Sequence, residues 1–128
     1  MAEPARVICR ADELVERGLA ARFEIVLAEP ARTLPCFAIA YDGAVHAYVN
    51  SCPHRGTQLD WQPGQVFDET GLYLICATHG ALFEPDSGLC VDGPCQGAHL
   101  QSLAIKVVGN DVVLTSQCVN VIKEKREP

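Results

Sequence analysis

No stretch of this chain stays apolar for the roughly 18 residues that a bilayer-crossing helix needs, so a spanning helix is not expected. No segment repeats and none is of low complexity, which leaves no sign of a solenoid or a disordered tract. Positive charge is scarce, with 10 Lys and Arg against 16 Asp and Glu, a net charge of −6 and a pI near 5.1. That balance argues against a nucleic-acid partner. It suits plain solubility, or docking on a positively charged protein surface. Met1-Ala2-Glu3-Pro4-Ala5-Arg6 lacks the basic-then-apolar layout of a signal peptide, and the expected location is the cytoplasm, where thiols stay reduced.

What is present is a chain of 128 residues, 48% apolar and 20% charged. That is enough for one globular domain with a buried core. It carries seven cysteines. The number is odd, so a pure disulfide framework would leave one unpaired, and metal ligation by some of them fits a reducing compartment better.

Short strands are expected throughout. Asp12 would cap a short helix or turn running to Gly18. Phe23–Leu27 reads as a strand. Cys36–Tyr41 and Ala44–Val49 flank Asp42-Gly43, a type I′ hairpin signal. Leu72–Ile75 reads as a strand leading into Cys76, and Leu103–Val108 and Val112–Thr115 flank a second turn at Gly109-Asn110-Asp111. The tail from Lys123 is charged and expected to fray. Many short strands joined by Gly, Pro, Asn and Asp imply an all-β antiparallel sandwich or barrel. Residues 51–94 differ: they are rich in Gly, Pro, Cys and His and read as a loop-rich insertion, ordered by a metal, between base segments at about 1–50 and 95–128.

Chemistry concentrates in two short motifs, Cys52-Pro53-His54 and Cys76-Ala77-Thr78-His79. Each offers one thiolate and one imidazole, and both donors bind iron and zinc well. A site with two irons can place both thiolates on one metal and both imidazoles on the other. A single tetrahedral zinc could also take all four, although zinc modules usually pair like ligands. Gly56 and Gly80 follow the histidines closely and would let the backbone fold tightly around a cluster.

The chain resembles the Rieske family in Cys52-Pro53-His54-Arg55-Gly56, in Cys76-Ala77-Thr78-His79-Gly80, in Phe83, in Asp86-Ser87-Gly88 and in Gly93-Pro94. The resemblance implies a Rieske-like fold, an antiparallel β base with an inserted cluster-binding subdomain. It implies one 2Fe–2S cluster per chain on Cys52, His54, Cys76 and His79, and no catalytic residue. The spacer between His54 and Cys76 is longer than usual for the family, and the excess falls in 61–71, where Pro63-Gly64 and Glu69-Thr70-Gly71 signal turns. High-potential members carry a bridging disulfide where this chain has Thr57 and Thr78, and hydroxyl donors where it has Ala81 and Phe83. Two missing hydrogen bonds would lower the potential by roughly 100–250 mV, within a family span of roughly −150 to +300 mV.

Outside the motifs, Cys90 and Cys95 read as free thiols beside the cluster loop. Cys9, Cys36 and Cys118 read as core or near-core thiols, and His46 and His99 as structural or surface residues. Arg55 would lie at the solvent edge of the cluster, and Trp61 would pack the long loop on the base. The function implied is that of a low-potential, ferredoxin-like electron carrier between a flavoprotein reductase and a terminal oxygenase. The alternatives are a small subunit of a nitrite reductase-type assembly and a zinc-stabilised interaction module. An oxygenase in its own right is not expected, because the chain ends soon after His79 and lacks room for a mononuclear iron domain.

Overall fold

The computed structural model describes residues 6–28, 31–53, 56–60, 62–78, 80–116, 118 and 120–123. The expectations for His54, Arg55, Trp61, His79 and the tail from residue 124 lie outside the described residues.

The described residues form ten strands: β1 Val7–Arg10, β2 Ala21–Ala28, β3 Ala31–Tyr41, β4 Ala44–Val49, β5 Leu74–Ile75, β6 Leu82–Phe83, β7 Cys90–Asp92, β8 Ile105–Val108, β9 Asp111–Leu114 and β10 Asn120–Lys123. They build three antiparallel sheets, ordered β1-β9-β8, β10-β2-β3-β4 and β5-β6-β7. The β3–β4 hairpin closes on Asp42 and Gly43, both at positive φ (55° and 78°), as a type I′ turn requires. Its register pairs Tyr41 with Ala44 and Phe37 with Tyr48.

That hairpin is buried on both faces, which explains its unbroken apolar run. Side chains alternate along a strand. Cys36, Ala38, Ala47 and Val49 point into one core with Ile8, Phe23, Ile25, Val112 and Leu114. Phe37, Ile39 and Tyr48 point into a second core with Cys52, Leu59, Leu74, Cys76, Phe83 and Leu100. Phe37 and Ile39 are fully buried, and burying such side chains contributes about 1.5–3 kcal/mol each. The hairpin is thus a wall shared by the two cores, the second of which holds both Cys52 and Cys76.

Three sequence expectations need correction. Asp12 caps nothing: it lies inside a 3-10 turn at Ala11–Glu13, and its N–H donates to Asn110 Oδ1 at 3.0 Å. Leu72 and Tyr73 are not strand, and β5 holds only Leu74 and Ile75. Lys123 does not fray, because β10 pairs it with Phe23 of β2. Cys9 and Cys36 are buried as expected, while Cys118 is half-buried between β9 and β10 and accepts a hydrogen bond from Arg6 at 3.1 Å.

Candidate metal centre

β4 runs through Asn50 and Ser51 into Cys52, and β5 runs directly into Cys76. From there the two loops fold in the same way. Cys52 N–H donates to the Thr57 carbonyl at 2.8 Å, and Gly56 N–H returns to the Cys52 carbonyl at 2.7 Å. Cys76 N–H donates to the Ala81 carbonyl at 2.9 Å, and Gly80 N–H returns to the Cys76 carbonyl at 2.8 Å. Gly56 and Gly80 close these rings at φ of +74° and +73°. A Cβ on Gly80 would meet nothing within 4 Å, and one on Gly56 only Ser51 Oγ at 3.8 Å. The positive φ, not crowding, demands glycine at both positions.

Both loops bury their cysteine, Cys52 at 2% and Cys76 at 1% exposure, beneath exposed Pro53, Gly56, Thr57, Ala77, Thr78 and Gly80. Ala77 N–H donates to the Leu59 carbonyl at 3.0 Å, tying the second loop to the segment after the first. Thr57 Oγ1 and Thr78 Oγ1 stand 3.5 Å apart, so a hydroxyl contact joins the loop tips. Two sulfur donors buried in one apolar cluster, each on a tight loop, suit a thiolate-ligated iron site. Of the other histidines, His46 is half-buried on β4 and His99 is exposed.

The long spacer is not a free excursion. Its described residues turn at Gln62–Gln65, where Ala20 N–H donates to the Gly64 carbonyl at 2.9 Å. They then run back beside β5, with Ile75 N–H donating to Val66 at 2.8 Å and a bridge between Phe67 and Leu74. A polar knot anchors the start of this path. Asn50, at 1% exposure, accepts from Leu59 N–H at 2.8 Å and donates to Asp60 Oδ1 at 2.9 Å. Asp60 Oδ2 accepts from Gly64 N–H at 2.9 Å and pairs with Arg22 Nε of β2 at 3.4 Å. This knot is built by residues far apart in the fold's connections, and no local sequence pattern marks it.

A third wall comes from β6, β7 and the turn after β7. Ala81 and Phe83 are fully buried and offer no hydroxyl donor. Gly93 sits so close that a Cβ there would lie 2.8 Å from Ala81 Cα. Cys90 Sγ donates to the Asp92 carbonyl at 3.3 Å, and Cys95 Sγ to Cys90 Sγ at 3.1 Å. Burial first, then Cys90 and Cys52, push the Cys95 thiol up to about 12. Below this wall, Tyr48 Oη donates to the Pro85 carbonyl at 2.7 Å. Burial, then the nearby Asp86, raises the Tyr48 pKa above its ordinary value.

The Rieske [2Fe-2S] domain model matches residues 6–108. Among solved structures, the ferredoxin of carbazole 1,9a-dioxygenase from Nocardioides aromaticivorans IC177 is 21% identical. The match covers 91% of this chain and 100% of that one, with a TM-score of 0.66. The Sphingomonas yanoikuyae B1 ferredoxin is 18% identical over 85% of this chain and 94% of that one, with a TM-score of 0.62. A complex of reduced oxygenase and oxidized ferredoxin in carbazole 1,9a-dioxygenase contains a chain 19% identical, covering 85% of this chain and 99% of that one, with a TM-score of 0.67. No curated protein matches. These likenesses establish a shared fold, and with the domain match spanning both cysteine loops, the chain belongs to the Rieske [2Fe-2S] domain family.

Proposed function

We propose that this protein is a one-electron carrier whose Cys52, His54, Cys76 and His79 hold a Rieske-type 2Fe–2S cluster. The observation that carries this reading is the pair of buried thiols on two loops with the same hydrogen-bond pattern, in a chain of this family. When bound, the cluster supplies a one-electron couple. The protein's own part is to keep Cys52 and Cys76 out of water and to present the exposed loop rim to a partner. The buried apolar Ala81 and Phe83 support a low potential, because neither can donate to sulfur.

Among the described residues no helix is long and apolar enough to cross a membrane. We place the carrier in the cytoplasm, with a flavoprotein reductase as donor and a terminal oxygenase as acceptor. Ferredoxin and oxygenase form complexes in the carbazole 1,9a-dioxygenase structures, which supports that acceptor. Residues 51–94 act in this scheme as the cluster-binding part and the flanking segments as its base. Iron and sulfide analysis with EPR of the dithionite-reduced protein tests the cofactor, and a colourless protein holding zinc would overturn it. Ligand assignment is tested by alanine at each of the four positions, each of which should abolish the EPR signal. Stopped-flow mixing with a reductase and then an oxygenase should show reduction followed by reoxidation; a strongly positive midpoint would contradict the low-potential assignment.

A further inference from the structure

Cys90 and Cys95 lie outside the loops that begin at Cys52 and Cys76, and their sulfurs stand 3.1 Å apart. Both are free thiols in this structure. A single turn sets both backbones. Cys90 N–H donates to the Ala98 carbonyl at 2.8 Å, and the Cys90 carbonyl accepts from Gly97 N–H at 3.0 Å. The Cys95 carbonyl accepts from Ala98 N–H at 2.9 Å. Main-chain hydrogen bonds on both sides therefore bring the two sulfurs together.

The two members are unequal. Cys90 is 1% exposed and belongs to β7, where it pairs with Phe83. Cys95 is half-buried, and Pro94, Gln96 and Gly97 around it are exposed. An oxidant from solvent reaches Cys95 first. A disulfide has a sulfur–sulfur distance of about 2.05 Å, so the pair must close by about 1 Å. The turn has room for this on one side. A Cβ at Gly97 would meet nothing within 4 Å, whereas one at Gly93 would strike Ala81. The closing movement falls on Cys95 and Gly97 and leaves the contact at Ala81 in place.

We propose that Cys90 and Cys95 are a site of reversible oxidation, closing a disulfide when the protein meets a hydroperoxide. Hydrogen peroxide transfers one oxygen to Cys95 Sγ, which leaves a sulfenic acid and releases water. Cys90 Sγ then attacks the Cys95 sulfur. The S–O bond breaks, the S–S bond forms, and the hydroxyl leaves as a second water with the Cys90 proton. The two thiols together lose two hydrogens and two electrons, and the peroxide O–O bond is reduced. A dithiol reverses the step by exchange. Where thiols are kept reduced, disulfides are of this transient, redox-sensing kind. The chemistry makes no use of Cys52 or Cys76 and stands apart from the cluster assignment.

The test exposes the protein as isolated to hydrogen peroxide, quenches it in acid, alkylates it with N-ethylmaleimide and maps it by mass spectrometry. Partial burial slows a thiol's reactions, so the exposure is extended to several hours. The fragment holding Cys90 and Cys95 should lack two hydrogens and take no label, and dithiothreitol should restore labelling at both. Cys90→Ser removes the resolving sulfur, so Cys95 should then trap dimedone severalfold more than in the wild type. If Cys90→Ser fails to fold, Cys90→Ala takes its place, and the wild-type map decides if neither folds. Wild-type Cys95 left as a thiol, over-oxidised, or bridged to any other cysteine would overturn the proposal. Equal dimedone trapping in wild type and variant would overturn it too.

Discussion

Asn50 and Asp60 meet in a part-buried hydrogen bond of 2.9 Å that fastens the start of the long spacer to the end of β4. The Asp60 side chain is only 1% exposed, and it gathers Asn50, Gly64 and Arg22 around one carboxylate. Asp60→Ala strands two buried donors and leaves Arg22 without this partner. The expected loss is about 3 kcal/mol, read as a lower urea midpoint with the m-value unchanged. A loss below about 1 kcal/mol would mean that water replaces the carboxylate.

Gly93 and Gly97 separate crowding from strain. Both have positive φ, +102° and +93°. A Cβ on Gly93 would strike the Ala81 backbone, whereas one on Gly97 would meet nothing within 4 Å. Gly97→Ala should cost about 1–2 kcal/mol from strain alone. Gly93→Ala should cost more and speed cluster loss to a chelator, because Ala81 accepts the hydrogen bond that closes the Cys76 loop. Equal effects in the two variants would show that Ala81 yields freely.

Tyr48→Phe removes a buried hydroxyl and leaves the Pro85 carbonyl without that donor. The expected cost is about 1–3 kcal/mol, with the cluster's visible spectrum unchanged if Tyr48 supports the fold and does not contact the cofactor.

Glu16 gives the fold an acid-side pH dependence. Hydrogen bonds from the Asp42 and Gly43 N–H groups, with help from Arg17, hold its pKa below the ordinary 4.5. A depressed carboxyl stabilises the native state above its unfolded pKa. That contribution should fade as pH falls from about 4.5 through the folded value. Thermal melts of Glu16→Gln should be flatter than wild type across that window and already lower at neutral pH.

The parts legible in sequence were those set by local rules. Asp42-Gly43 specified its turn through positive φ, and the cysteine motifs marked both loops before any fold was known. The failures came from side chains competing for backbone groups. Thr70 Oγ1 takes the Leu72 N–H and Asp68 Oδ1 takes the Tyr73 N–H, so an apolar run that reads as strand is bent into a loop. Asp12 lost its expected capping role to Asn110, which lies in the β8–β9 turn and is brought there by strand pairing. No local pattern in the sequence marks Asn50 and Asp60, and only the fold shows that they satisfy each other.

The two-faced burial of the β3–β4 hairpin makes its register a ruler for the redox centre. A slip of one residue would exchange the faces, sending Phe37, Ile39 and Tyr48 toward the first core and the smaller Cys36, Ala38 and Ala47 toward the core that holds Cys52 and Cys76. Cys52 lies three residues beyond the end of β4 and would be carried along with that slip. The height at which the first cysteine loop stands is therefore decided at Asp42-Gly43, the far end of the same hairpin.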